Sequence, residues 1–253
     1  MDAFKSEMKV KPRSERVNTG VEGLDALLHG GFPKNSITLV SGTPGSGKTI
    51  LCFQYIDAGL KNGEKCLFLS SDDRIENIIH QAHELRFDFQ SAMDTGQLTF
   101  MYLDLDKSTV HKEMEDEISR GNYNRVVLDS LTPLAETPVW VTSGGKEIIP
   151  SERSMTAPVF PVDSVPATRI HVRRMMSILN EGNCTTLVTS EIPEGSHSLS
   201  RDSISEFLTD GIVLLDLDTT MDRRKLTVRK MRGTKHTLKP QNIEIAEGGI
   251  RFV

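Results

Sequence analysis

Eight consecutive residues, Gly42, Thr43, Pro44, Gly45, Ser46, Gly47, Lys48 and Thr49, carry the most specific chemistry in the chain. They match the G-x-x-x-x-G-K-S/T spacing of a phosphate-binding loop. The glycines let successive backbone N–H groups turn inward around a phosphate, and a helix starting near Gly47 adds the positive end of its dipole. Lys48 is then placed to reach the β- and γ-phosphates of a nucleoside triphosphate, and the Thr49 hydroxyl to ligate Mg2+. The alternative is a Gly-rich turn that happens to end in Lys-Thr. Context argues against it, because a strand-like run (Ser36 to Ser41) precedes the motif and a helix-like run (Ile50 to Lys61) follows.

Other residues offer partners for that chemistry. Asp129 ends the apolar run Arg125 to Asp129, where a carboxylate can orient Mg2+ through water or Thr49; it can equally cap a turn at a strand end. Ser130 beside it can assist or simply turn the chain. Asp72 and Asp73 follow the run Lys65 to Ser70 at the end that should face the phosphates, where a carboxylate can hold an attacking water as general base. Asp is also a favoured helix N-cap, and Ile75 starts the next helical pattern. Ser190-Glu191 closes the run Thr185 to Ser190 at the same rim, where it can report the γ-phosphate to the following loop or simply end a strand. His80 and His83 share a helical face without a third ligand and read as surface residues. Ser198, Ser200, Ser203 and Ser205 make a hydroxyl-rich loop that could be phosphorylated, and we read it as a solvated loop.

The elements that must position these residues alternate. Strand patterns at Lys65 to Ser70, Leu98 to Leu103, Arg125 to Asp129 and Thr185 to Ser190 are separated by helical patterns at Ile75 to Leu85, Val110 to Arg120 and Thr168 to Glu181. This predicts an α/β fold with a mostly parallel sheet flanked by helices on both faces. The last quarter changes to short strands (Gly211 to Asp218, Lys225 to Lys230, Gln241 to Ile245, Ile250 to Val253), expected as an antiparallel extension. Thr137 to Ala167 holds five of the eleven prolines and no clean periodicity, which marks a long functional or mobile insertion. We expect residues 1–15 to be a polar N-terminal segment and 16–253 a single domain.

Composition bounds the setting. The chain has 253 residues, enough for one large domain. Its N-terminus lacks a signal-type apolar run, and no stretch reaches the roughly 20 apolar residues of a membrane span. Cys52, Cys66 and Cys184 show no C-x-x-C spacing. A cytoplasmic, membrane-free protein is expected. The net charge of −5 argues against a dedicated nucleic-acid binder, although eight Lys or Arg residues and no acid lie between Arg223 and Lys239.

The sequence resembles the KaiC-like branch of the RecA/RadA ATPase superfamily, in its archaeal-type single-domain form. The lead-in segment Thr19 to Pro33 (TGVEGLDALLHGGFP), the strand Arg125 to Leu131 (RVVLDSL), Leu187 to Glu191 (LVTSE) and Lys230 to His236 (KMRGTKH) carry the likeness, which spans about Arg16 to Val253. The resemblance implies a RecA-like P-loop core in a ring, usually a hexamer, with ATP between subunits. It also implies that Lys230 and Arg232 reach the γ-phosphate of the adjacent protomer, where a cation neutralises charge on the transferring group. Base selectivity for ATP over GTP rests on the resemblance. The chain departs from the family where Asp72-Asp73 replaces Glu-Glu; a carboxylate set back by about 1 Å can lose roughly 100-fold in rate. Asn35 replaces a common Gly, which Asn tolerates because it visits the left-handed region. Glu206 and Phe207 stand where the clock protein of the family has its Ser-Thr phosphorylation pair.

The leading expectation is a ring-forming Mg-dependent ATPase. Its phosphates are gripped by residues 42–49 and Asp129, its water is oriented by Asp72 or Asp73, and its cations Lys230 and Arg232 come from the neighbour. The alternative is a hydrolysis-poor switch for assembly or signalling toward an unidentified protein partner. A recombinase-like DNA binder is the less favoured reading, since 137–167 carries only Lys146 and Arg153 against Glu147, Glu152 and Asp163. A Ser/Thr kinase has no local support.

Overall fold

The apolar runs around the phosphate-loop motif are buried on both faces, which places them inside a sheet covered on both sides. We describe a computed structural model covering residues 15–105, 107, 109–136, 140–141, 147–148, 165–196 and 198–253. It opens with β1 (Arg16–Val17), α1 (Glu22–Leu27) and β2 (Phe32–Pro33), then β3 (Ile37–Gly42) and α2 (Lys48–Lys61). Next come β4 (Cys66–Ser70), α3 (Ile75–Glu84), α4 (Phe89–Asp94), β5 (Leu98–Tyr102), α5 (Val110–Gly121), β6 (Arg125–Asp129) and α6 (Leu131–Glu136). Two short strands, β7 (Trp140–Val141) and β8 (Glu147–Ile148), precede α7 (Val165–Glu181), β9 (Thr185–Glu191) and α8 (Ser205–Leu208). The chain ends in β10 (Gly211–Asp218), β11 (Arg223–Met231), β12 (Gln241–Ala246) and β13 (Gly249–Phe252).

The main sheet has nine strands in the order β13-β12-β11-β10-β3-β9-β6-β4-β5. From β10 to β5 every pairing is parallel, and β11, β12 and β13 add an antiparallel extension beyond β10. The α/β architecture expected from the sequence is the one observed. Side-chain alternation splits each central strand between two cores. Leu67 and Leu69 of β4 join Met114, Leu134 and Leu179 on one face, while Cys66 and Phe68 join Leu51, Phe53 and Ile78 on the other. Both cores are apolar, so the strands read as continuous apolar runs.

Two features lock the lead-in segment to the sheet. Arg125, which starts β6, is fully buried and donates to Asn18 O (2.7 Å), Asn18 Oδ1 (2.6 Å) and Tyr55 O (2.8 Å), besides pairing with Glu64. Gly20 takes φ +82, and a Cβ there would lie 2.3 Å from Gln54 O, so only glycine lets the segment pass so close to α2.

Differences from expectation are local. The helices α1, α4, α6 and α8 span four to six residues each, too short to display a helical period. Helix α2 starts two residues earlier than its apolar pattern, at Lys48. Helix α7 starts at Val165, so Pro166 falls in its first turn, where a missing N–H costs no helix bond. Asn35 has φ 57, the left-handed backbone expected of it. Most of the Pro-rich stretch 137–167 lies outside the described residues. Within it, β7 and β8 pair antiparallel.

Candidate functional site

Parallel pairing brings several strand ends to one rim of the sheet. Gly42 pairs with Glu191, and Ser70 with Asp129. The phosphate-loop residues leave β3 here and turn through Gly47, which has φ 106 and forms the N-cap of α2. A Cβ at that φ would be strained, and it would sit 3.3 Å from Ile245 Cδ1. The N-terminus of α2 thus opens onto the rim, where its N–H groups and dipole suit an anion. Lys48, the first residue of α2, is buried, and its ammonium donates to Gly42 O at 3.0 Å and Thr43 O at 3.1 Å. Burial lowers its pKa, against the opposing pull of Glu191, Asp129, Cys52 and Asp72.

A cleft of about 510 Å3 lies over this rim, lined among others by Gly45, Lys48, Thr49, Asp72, Asp73, Asp129 and Glu191. At its floor the Thr49 hydroxyl donates to Asp129 Oδ2 at 2.7 Å, and the Thr189 hydroxyl donates to Asp129 Oδ1. Burial raises the Asp129 pKa, with the two threonine hydroxyls and Lys48 opposing it. Hydroxyl and carboxylate oxygens side by side are the hard donors that Mg2+ prefers, and the helix N-terminus beside them suits phosphate. The residues present therefore fit a Mg-nucleotide.

Asp72 and Asp73 sit in the turn between β4 and α3. Ser130 Oγ donates to Asp72 Oδ2 at 2.7 Å, and Ser71 Oγ donates to Ser130 O at 2.7 Å, so the turn is tied to the end of β6. Desolvation raises the Asp72 pKa; the Ser130 bond opposes this, and the nearby carboxylates of Asp129, Glu191 and Asp73 add to it. Residue 74 is the N-cap of α3, without a side-chain cap bond, so neither aspartate caps that helix. Ser130 holds Asp72 rather than merely turning the chain. Glu191 lines the cleft as its strand-end position suggests, but Ser190 is buried, its Oγ accepting from Arg201 N at 3.1 Å.

Lys230 and Arg232 are elsewhere. Strand β11 runs antiparallel to β10, so Met231 pairs with Gly211, which pairs with Thr38 near the start of β3. The loop begins at Gly42, four residues further along β3 and roughly 13 Å away at about 3.3 Å per residue. The basic stretch is thereby divided: Arg224 Nε reaches Gly45 O at 3.4 Å, whereas Lys230 and Arg232 occupy the opposite edge. There Lys230 Nζ donates to Glu206 O (2.9 Å) and Thr209 O (2.6 Å). Its pKa is lowered by burial first and by Arg232 second.

Other expectations divide. His80 and His83 are exposed, and among the described residues no group of three His, Cys, Asp or Glu side chains could hold a metal. The serine loop is not solvated as a whole: Ser200 and Ser205 are fully buried. Ser200 Oγ donates to Glu206, and Ser205 Oγ donates to Asp202 Oδ2 at 2.5 Å. Sequence reasoning missed Thr189, Thr132 and the apolar cleft residues Ile50 and Ile78. Nothing local marks Thr189, whose role depends on β9 lying beside β6.

Comparison with known proteins agrees with this geometry. The family described as the KaiC ATPase matches residues 17–142 and 158–253. The circadian clock oscillator protein KaiC of Picosynechococcus sp. is 30% identical over 241 residues, covering 94% of this chain and 44% of that protein, so the chain spans less than half of that relative. UPF0273 protein MK0039 of Methanopyrus kandleri is 29% identical over 242 residues, covering 94% and 91%. Among solved structures, the KaiC-like protein PH0186 of Pyrococcus horikoshii OT3 superposes with a TM-score of 0.77 at 27% identity, covering 95% of this chain and 99% of that one. The family carries a nucleotide-binding ATPase of the P-loop class on a RecA-like fold. This chain belongs to the KaiC ATPase family.

Proposed function

We propose that the chain, acting through residues 16–253 as one unit, is a Mg-dependent ATPase whose sites are completed between neighbouring copies in a ring. By family resemblance the ring has six members. The observation that carries this reading is the division of the site: Lys48, Thr49, Asp72, Asp73 and Asp129 share one rim, while Lys230 and Arg232 stand at the opposite edge of the same sheet. In a head-to-tail ring, that edge of one copy is available to the cleft of the next.

Residues 42–47 and the N-terminus of α2 bind the phosphates, with Lys48 as the cation from within the chain. Thr49 and Asp129 would hold Mg2+, which supplies charge neutralisation on the phosphoryl group when bound. Asp72, held by Ser130, and Asp73 orient the attacking water. Lys230 and Arg232 of the neighbour add positive charge where it develops. DNA binding gains no support, because the basic residues of β11 divide between two edges instead of forming one groove.

A second reading, an ATP-driven switch with negligible hydrolysis, is favoured by one observation. Ser130 holds Asp72 Oδ2 at 2.7 Å against the end of β6, and Asp is already a methylene shorter than the family's Glu. Mg-ATP turnover per protomer, followed across protein concentration, separates the two. A composite ATPase turns over cooperatively as rings form. ATP bound with no turnover at any concentration leaves the switch.

A further inference from the structure

The edge that carries Lys230 and Arg232 is shaped by residues 206–210, immediately before β10. Asp210 is the last residue of this segment. Its N–H donates to Ile37 O at 2.8 Å, and its carbonyl accepts from Arg232 N at 2.9 Å. Its carboxylate is divided in the same way: Oδ2 accepts from Ile37 N at 3.1 Å, and Oδ1 accepts from Arg232 Nη1 at 3.1 Å. Backbone and side chain of one residue therefore tie Arg232 to the first residue of β3, the strand that leads into the phosphate loop. Arg232 Nη2 adds a bond to Phe207 O at 3.4 Å.

This tie is not explained as a stabilising ion pair. The Arg232 and Asp210 side chains are 57% and 30% exposed, and pairs in that setting contribute little to stability. What it does is geometric. A free arginine side chain samples many rotamers, and held at Asp210 and Phe207 O it keeps one orientation. Two of its N–H groups are used by those bonds, and further donors of the planar fork remain for an anion. A donor already in place when charge develops needs no reorganisation at that moment.

We propose that Asp210 is a positioning residue that presents Arg232 to the phosphates bound by the adjacent copy. This rests on the composite-site reading above. Asp210→Asn is the informative substitution, since the amide oxygen still accepts from Ile37 N while the carboxylate hold on Arg232 is lost.

The experiment measures steady-state Mg-ATP turnover of the full chain, above the concentration at which rings form, for wild type, Asp210→Asn, Arg232→Ala and the double variant. Misplacement of a reacting group by about 1 Å can cost up to roughly 100-fold, so Asp210→Asn should lower kcat by about tenfold with KM unchanged. The double variant should be no slower than Arg232→Ala alone. Turnover within about twofold of wild type in Asp210→Asn, with Arg232→Ala impaired, overturns the positioning role and leaves the composite site standing. Additive losses in the double variant also overturn it, because Asp210 would then act through β3. Full turnover in Arg232→Ala overturns the composite reading itself and this inference with it. Should Asn prevent folding, Asp210→Glu keeps the charge but moves the carboxylate by a methylene, and the same cycle with Arg232→Ala applies.

Discussion

Replacing Lys48 by Ala in one pool of protein and Arg232 by Ala in another removes opposite halves of the proposed site. Arg232 is tied through Asp210 to Ile37, five β3 residues or roughly 16 Å along the strand from Gly42 at about 3.3 Å per residue. If each site is shared, a working junction needs an intact loop on one copy and an intact cation on the next. Either pool alone has none, and loss of a cation of this kind lowers turnover by about 1,000-fold or more. In rings assembled at random from equal amounts, about one junction in four joins the loop of an Arg232→Ala copy to the cation of a Lys48→Ala copy. Mixed rings should therefore recover about a quarter of wild-type turnover, against almost nothing in the unmixed pools. The assay is phosphate release, with ring composition followed by native mass spectrometry. Mixed rings that stay as inactive as their parents would refute the shared site. So would an Arg232→Ala pool that is fully active by itself.

Two further outcomes are expected. Replacing Asp72 and Asp73 together by Glu restores the reach of the carboxylate and should raise turnover by up to roughly 100-fold; unchanged turnover would mean that side-chain length at this turn does not limit the rate. The three cysteines should be silent in the native chain: burial pushes the Cys66 thiol up to about 12 and raises Cys52 and Cys184 as well. A buried thiol held well above the ambient pH is both protonated and out of the reagent's reach, so an aromatic disulfide reagent at about pH 8 should label none of the three until denaturant is added. Fast labelling of the folded chain would contradict the packing of α2 against β4.

Most of the rim was legible because its residues are local in sequence. Residues 42–49 carry their own turn glycines, cation and hydroxyl within one loop. Asp129 could be read from the apolar strand it ends, as could Glu191. The sheet itself was legible because βαβ connections leave continuous apolar runs with helical patterns between them. Short helices were missed for want of a full period, and the serine loop was misread at Ser200 and Ser205, which are buried and bonded to Glu206 and Asp202.

The identity and order of the chemical groups are written in the chain: a phosphate loop, a strand-end carboxylate, an acidic pair and a basic strand. Which of them meet depends on the folded sheet. Strand order places Thr189 of β9 against Asp129 of β6, and the tie from Ser130 holds Asp72 beside the same cleft. Antiparallel pairing of β11 sends one end of the basic stretch to the loop and the other to the far edge. A linear run of charges contains no information about strand direction. Direction and neighbour order are settled by burying both faces of the sheet at once, a property of the whole chain and of no segment alone.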